Sequence, residues 1–182
     1  MVARPSRRRA GAPPKAKRVA EAAPEYVAGP LLWRASKGTT RTDVLLLDTH
    51  AWIWMLHAAF EHMSAGAWSL IAAAASDRRL YVSDISFWEV SLKASTGQLR
   101  LPTHATLWLG QALRAPGVHG MALTREVLIQ STLLAGEPHA DPADRMLIAQ
   151  AQLAGMSLLT CDTRIIAYAA RVPGIPVCDA RP

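Results

Sequence analysis

The chain lacks the long apolar runs of a membrane protein and the many cysteines of a secreted disulfide scaffold. None of its apolar stretches approaches the roughly 20 residues that a membrane-spanning helix requires. Its 182 residues include two cysteines, Cys161 and Cys178. So few cysteines favour the reducing cytoplasm over a fold held together by disulfides. No apolar segment follows the basic residues 7–9, so we predict no secretory signal peptide.

Basic residues outnumber acids in only one part of the chain. Residues 1–42 carry ten Lys or Arg and two Glu, whereas residues 43–182 carry ten Lys or Arg and twelve Asp or Glu. The first segment is rich in Pro, Ala and Arg without an apolar period, so we predict a disordered basic extension over 1–42. It could attach weakly to RNA or DNA, or be solvated without a function. Residues 43–182 are long enough for one domain with its own core.

Short apolar runs alternate with helical stretches from Val44 onward. Such alternation predicts an α/β fold with a mostly parallel sheet of about five strands flanked by helices. Gly97, Gly117, Gly155 and Gly174 are predicted to end individual elements. The predicted strands lie near 44–48, 80–83, 118–122, 157–160 and 175–178, and the predicted helices near 50–58, 64–77, 86–96, 104–114, 124–134, 142–154 and 163–170.

Four acids stand near the ends of the apolar runs: Asp48, Glu89, Asp144 and Asp162. In a parallel α/β sheet, ligands bind in the crevice at the carboxyl ends of the strands. Carboxylates gathered there would repel each other unless a cation joins them. Oxygen ligands of this kind suit a divalent metal ion. The pattern therefore predicts a metal site, and hydrolysis of a phosphodiester is a reaction that such a site could perform.

Each acid, taken alone, could instead serve as a helix cap. Asp48 or Thr49 could cap the first helix, and Asp141 before Pro142 is a natural N-cap. The spacing of Ser86 and Glu89 matches a capping box, in which Glu89 would only hold its own helix start. Asp84 is a rival to Glu89 for the metal, and Lys93 lies four residues beyond Glu89, where the two could pair.

Histidine and tryptophan do not by themselves predict a site. The six histidines have no recognisable ligand spacing, so we expect surface or core roles for all of them. Four tryptophans fall at core-like helical positions, and some of them could line a groove for a partner. The residues concerned are His50, His57, His62, His104, His119 and His139, and Trp52, Trp54, Trp88 and Trp108.

Four segments carry a shared pattern: Leu45–Trp54, Val82–Lys93 with Thr96–Leu99 following, Asp141–Ala151 and Thr160–Asp162. In these segments the chain resembles the PIN-domain ribonucleases, and within that family the VapC-type toxins of bacterial type II toxin–antitoxin pairs. The resemblance implies a PIN-like three-layer fold, with Asp48, Glu89, Asp144 and Asp162 as catalytic ligands of Mg²⁺ or Mn²⁺. Thr49 and Thr160 match the accompanying hydroxyl positions of the family. From the residues themselves, Asp141 is expected to serve mainly as a helix cap, and Arg145 is a candidate contact to an RNA phosphate. The basic extension is a departure from the family pattern.

The function implied by this resemblance is metal-dependent endonucleolytic cleavage of RNA in the cytoplasm. The resemblance also implies a cognate antitoxin protein and a homodimer. We expect no membrane among the partners of the protein. Two alternatives stay open from the residues: a housekeeping PIN nuclease of RNA processing, and a non-catalytic RNA- or protein-binding module whose acids serve only as helix caps.

Overall fold

The computed structural model of the protein describes residues 41–182, with side chains from Val44 onward. Nearly all of the predicted basic extension lies outside the described residues. The strands are β1 (Arg41–Leu47), β2 (Leu80–Ser83), β3 (Val118–Met121), β4 (Met156–Thr160) and β5 (Val177–Asp179). The helices are α1 (Thr49–His57), α2 (Ala65–Ser76), α3 (Asp84–Ser95), α4 (Ala105–Ala112), α5 (Arg125–Thr132), α6 (Pro142–Ala154) and α7 (Thr163–Arg171), with a short 3-10 turn at Phe60–His62.

The five strands form one sheet in the order β3-β2-β1-β4-β5, and every neighbouring pair is parallel. The central strand β1 pairs with β2 through Leu45 and Leu80, and with β4 through Leu47 and Leu159. The predicted fold class is thus confirmed. Residues 44–47 of β1 form a continuous, buried apolar run, as expected for a strand that is covered on both faces of a parallel sheet.

Alternate residues of β1 enter two separate cores. Leu45 and Leu47 pack in one core with side chains of α1, α2 and α4, including Trp52, Ile71 and Trp108. Val44 and Leu46 pack in the other core with side chains of α5, α6 and α7, including Val127, Leu147 and Ile165. Because successive side chains of a strand point to opposite faces, one apolar run can supply both cores. The result is the predicted arrangement of helices, sheet and helices in three layers.

Several helices and strands begin or end at the proline and glycine residues that predicted their limits. Helix α6 begins at Pro142, whose missing N–H is harmless in the first turn, and ends before Gly155 at φ 64°. Gly97, Gly117 and Gly174 also have positive φ angles. Strand β5 starts at Val177 instead of residue 175, because Pro176 has no N–H for pairing. Trp88 was expected in the core, but its side chain is exposed.

Among residues 41–182, no helix combines the length and the apolar character that crossing a bilayer would require.

Candidate active site

The carboxyl ends of β2, β1 and β4 meet where the direction of strand order changes. From β1 the chain moves outward to β2 and β3, and it then returns to the other side of β1 to form β4 and β5. A crevice opens at such a switch point in open parallel sheets. Asp48 directly follows β1, helix α3 with Glu89 directly follows β2, and Asp162 lies two residues after β4. The topology therefore brings three of the predicted acids to adjacent strand ends.

Asp48 and Asp162 are linked by one hydroxyl group. The Thr160 hydroxyl donates a hydrogen bond to Asp48 Oδ2, and its oxygen accepts one from the backbone N–H of Asp162 at 2.9 Å. Asp48 is 3% exposed and also caps α1 by accepting from the N–H of His50. Asp162 caps α7, and both of its capping bonds go to Oδ1. Capping and membership of the acidic cluster thus coexist in both residues.

Glu89 is buried and is held by Thr49. The Thr49 hydroxyl donates to Glu89 Oε2 at 2.5 Å, and the Ser86 hydroxyl lies 2.9 Å from Thr49 Oγ1. Lys93 Nζ lies 4.0 Å from Glu89 Oε1, as the four-residue spacing predicted. Burial raises the pKa of Glu89, while the Thr49 hydrogen bond and Lys93 oppose that rise and Asp48 and Asp141 add to it. Glu89 is therefore a buried acid with specific partners.

The predicted capping box at Ser86 and Glu89 is wrong. Helix α3 begins two residues earlier, at Asp84, and Ser83 is its N-cap, accepting from the N–H of Ile85. Strand β2 runs straight into the helix, so Ser86 lies inside the first turn and is fully buried against Thr49. Asp84 is exposed and is not among the charges that act on Glu89. The structure brings Glu89, and not Asp84, to the other acids.

Asp141 and Asp144 come from the start of α6. Asp141 is the N-cap and accepts from the N–H of Ala143 at 2.8 Å, as predicted. Burial, and after it the negative charges of Asp48, Asp141, Glu89 and Asp162, together raise the pKa of Asp144 to about 8. Because all of these charges act on one carboxyl group, the predicted acids converge on a single cluster. Asp144 lies within it.

His139 belongs to the same cluster, which the sequence did not predict. Its Nδ1 lies 2.7 Å from Asp144 Oδ2. His139, Asp144 and Asp162 each offer a ligand atom, and these atoms all lie within 4.8 Å of one another. The side chain is buried, as the expectation of a surface or core role allows, and the structure adds that it lies beside the acids. The one signal in the sequence was its place two residues before the Asp141 cap, in the loop that leads into α6.

Arg145 turns away from the acids toward α5. Its Nε donates to the carbonyl of Ser131 at 2.9 Å, near the C-terminal end of that helix. This contact gives Arg145 a clear structural role, because the last carbonyls of a helix need donors. A contact between Arg145 and an RNA phosphate stays a prediction.

The donor set fits a hard divalent cation. It consists of carboxylate oxygens from four residues, and burial together with mutual repulsion raises the pKa of both Asp144 and Glu89. A nearby divalent cation would reverse this effect by favouring the charged carboxylates. Oxygen-rich sites of this type suit Mg²⁺ and Mn²⁺. Of the four predicted acids, Asp144 and Asp162 offer ligand atoms within 4.8 Å of one another, and Asp48 and Glu89 are the further predicted acids that could hold the ion.

Comparison with solved structures shows the same fold in chains of toxin–antitoxin complexes. A chain of the DNA-bound VapBC from Salmonella typhimurium aligns with a TM-score of 0.55 at 18% identity, covering 75% of this chain and 97% of that one. A chain of VapBC2 from Rickettsia felis, bound to a promoter DNA fragment, aligns with a TM-score of 0.56 at 13% identity, covering 75% and 98%. At these identities the likeness establishes the fold alone.

Comparison by sequence identifies the family. No curated protein matches the chain significantly. The family model described as the PIN domain matches residues 45–171, a range that contains all four clustered acids, both threonines and His139. Since the match spans more than half of the chain, this protein belongs to the PIN-domain family.

Proposed function

We propose that this protein is a metal-dependent endoribonuclease and the toxin of a bacterial toxin–antitoxin pair. The observation that carries the proposal is the convergence of Asp48, Glu89, Asp144 and Asp162 at the switch point of the sheet. Four carboxylates are held there close enough for the others to raise the pKa of Asp144. Membership of the PIN-domain family supports nuclease chemistry, and the fold shared with chains of VapBC complexes supports the toxin role.

In this proposal the four acids hold Mg²⁺ or Mn²⁺ and are the catalytic residues. When bound, such an ion lowers the pKa of a water molecule and offsets the charge of a phosphodiester. Thr160 and Thr49 hold the carboxylates of Asp48 and Glu89 through their hydroxyl groups. Asp141 caps α6 and thereby sets the position of Asp144, one turn further along.

The proposed partners are an RNA substrate, a cognate antitoxin protein and a second copy of the chain. An antitoxin is supported by the fold that this protein shares with chains of VapBC complexes. Large apolar side chains exposed on several helices, such as Trp88, Leu107 and Ile129, leave surface that protein partners could cover. RNA cleavage by a toxin places its action in the cytoplasm.

The test is cleavage of a panel of structured RNAs by the purified full chain with Mg²⁺, with Mn²⁺ and with EDTA. We expect metal-dependent cutting that is abolished in Asp144→Ala, because that change removes one of the four clustered carboxylates. Asp84→Ala is the matched control. It removes an acid from the first turn of α3 that is exposed and does not act on Asp144, so its cutting should equal that of the wild type.

A non-catalytic binding module is the second candidate, and a specific observation favours it. Asp48, Asp141 and Asp162 each cap a helix, so these acids have a structural use without any metal. This module would leave RNA intact with every metal and would gain no stability from Mn²⁺.

Full cutting of RNA by a folded Asp144→Ala protein would contradict the proposed site. A housekeeping nuclease of RNA processing would cut RNA but would not arrest growth when expressed without an antitoxin.

A further inference from the structure

His139 contacts Asp144 through a ring that is almost completely buried. The His139 side chain is 7% exposed, and its Nδ1 lies 2.7 Å from Asp144 Oδ2. The same Nδ1 lies 3.1 Å from the backbone nitrogen of Asp141, the N-cap of α6. Its other ring nitrogen, Nε2, is buried and has no hydrogen-bond partner within the described range 41–182. The contacts of this ring are therefore directed at the start of α6 and at Asp144.

The other three clustered acids accept hydrogen bonds from groups other than an imidazole. Thr160 donates to Asp48, Thr49 donates to Glu89, and two backbone N–H groups donate to Asp162. For Asp144, the polar contact seen among the described residues is the one with His139. Without this contact, Asp144 would face the repulsion of its neighbours with nothing to fix its carboxylate.

We propose that His139 is a positioning residue that fixes the carboxylate of Asp144 for binding of the divalent cation. The inference rests on the proposed function, in which Asp144 is a metal ligand. Nδ1 carries either one proton or one lone pair in the ring plane, so it cannot both accept from the Asp141 N–H at 3.1 Å and donate to Asp144 Oδ2 at 2.7 Å. We assign the hydrogen bond to the shorter contact, with the proton on Nδ1 and the lone pair on the buried, unpartnered Nε2, where an N–H would lack an acceptor. In this form the ring acts on the carboxylate of Asp144 through Oδ2.

The direct test is a titration of the full chain with Mn²⁺. Binding is measured by the loss of the free-ion signal in electron paramagnetic resonance. We expect His139→Ala to bind Mn²⁺ about 10- to 100-fold more weakly, since loss of a partner that orients a metal ligand typically has an effect of this size. His139→Asn should retain most of the affinity, because the side-chain amide can take the place of Nδ1. His119→Ala is the matched control, since His119 is half-buried, packs against the Tyr81 ring at a tilt of 41° and also has an unpartnered Nε2.

A second readout separates positioning from general damage to the fold. If His139 positions Asp144, RNA cleavage by His139→Ala should return toward the wild-type rate as the Mn²⁺ concentration is raised. Should His139→Ala fail to fold, the comparison of His139→Asn with a Gln variant decides the question, because Gln cannot place its amide where Nδ1 lies. We expect His139→Gln to bind Mn²⁺ more weakly than His139→Asn.

Three outcomes would overturn the inference. The first is wild-type Mn²⁺ affinity in His139→Ala. The second is a nitrogen hyperfine coupling in the bound Mn²⁺ spectrum that disappears in His139→Ala, since this would make the imidazole a ligand. The third is a wild-type protein that binds no Mn²⁺. By contrast, a wild-type protein that binds Mn²⁺ and leaves every RNA intact would refute only the proposed nuclease, and the role of His139 would still be decided by the affinities.

Discussion

The Thr160 hydroxyl donates a hydrogen bond to Asp48 Oδ2, although 112 residues separate the two in the chain. Parallel pairing of β1 with β4 sets Leu47 opposite Leu159, so the residues that follow these two also become neighbours. Thr160 accepts in turn from the N–H of Asp162. One buried hydroxyl thereby connects two acids of the cluster, at the ends of the neighbouring strands β1 and β4.

Thr160→Val tests this connection, because valine keeps the shape of threonine and removes the hydroxyl. Asp48 Oδ2 and the N–H of Asp162 would both lose a partner. We expect a loss of about 1–3 kcal/mol in the free energy of unfolding, the usual effect of leaving a buried polar group unpaired. RNA cleavage should fall with it. Urea denaturation and cleavage assays would measure the two effects.

The control for Thr160→Val is Thr163→Val, at the exposed first position of α7. A surface change of this kind should alter stability by no more than about 0.5 kcal/mol. Equal behaviour of the two variants would show that the Thr160 hydroxyl has no special role.

Asp144 should make the stability of the metal-free protein depend on pH. Its pKa is raised from 3.8 to about 8 in the folded state, so the folded protein holds this proton more tightly than the unfolded chain. The resulting stability is fully present below the unfolded pKa and is lost as the pH rises toward about 8. Since each tenfold change in proton affinity is worth about 1.4 kcal/mol, we expect a loss of a few kcal/mol. Thermal unfolding in EDTA from pH 5 to pH 9 would measure it.

Asp144→Asn is the matched variant for this experiment, because it replaces the acid by a neutral group of the same shape. Its unfolding temperature should fall less than that of the wild type between pH 5 and pH 8. Mn²⁺ should raise the unfolding temperature of the wild type at pH 8 and have little effect on Asp144→Asn. Parallel pH curves for both proteins in EDTA would contradict the raised pKa of Asp144.

Thr49→Val should weaken metal binding through Glu89. The Thr49 hydrogen bond opposes the rise that burial causes in the pKa of Glu89, so its loss should raise that pKa further. A cation would then compete with a proton at Glu89, and Mn²⁺ affinity should decline more steeply on acidification than in the wild type. Calorimetric Mn²⁺ titrations at several pH values would reveal the difference. Thr106→Val, on the exposed side of α4, is the control and should bind as the wild type does.

Gly117 is required by close packing before β3. At its φ of 77°, an added Cβ would lie 2.1 Å from the carbonyl oxygen of Ala75. Gly117→Ala should therefore destabilise the protein severely, by more than the ~1 kcal/mol expected from backbone strain alone. Gly174→Ala is the comparison, because Gly174 has a φ of 84° with nothing within 4 Å of the added Cβ. Urea denaturation should show a much larger loss for Gly117→Ala, and equal losses would refute the packing argument.

Elements with strong local signals were predicted closely from the sequence. Helix α6, predicted at 142–154, is found at Pro142–Ala154, because its proline start and glycine stop act through the backbone of a few neighbouring residues. The start of α3 was misplaced, because Ser83 and Ser86 are both plausible caps and only the end of β2 decides between them. Local chemistry cannot say where a strand stops pairing.

The sequence by itself determined the alternating fold, the family and the four acids that converge, because each acid lies just after a strand or in the first two turns of a helix. Tertiary structure alone decided which donors hold those acids. Thr160 meets Asp48, Thr49 meets Glu89 and His139 meets Asp144 through side-chain contacts. The geometry of such contacts depends on how separate elements pack. A strand-end position can be read from a local pattern, whereas a hydrogen bond between distant side chains exists only once both elements are in place.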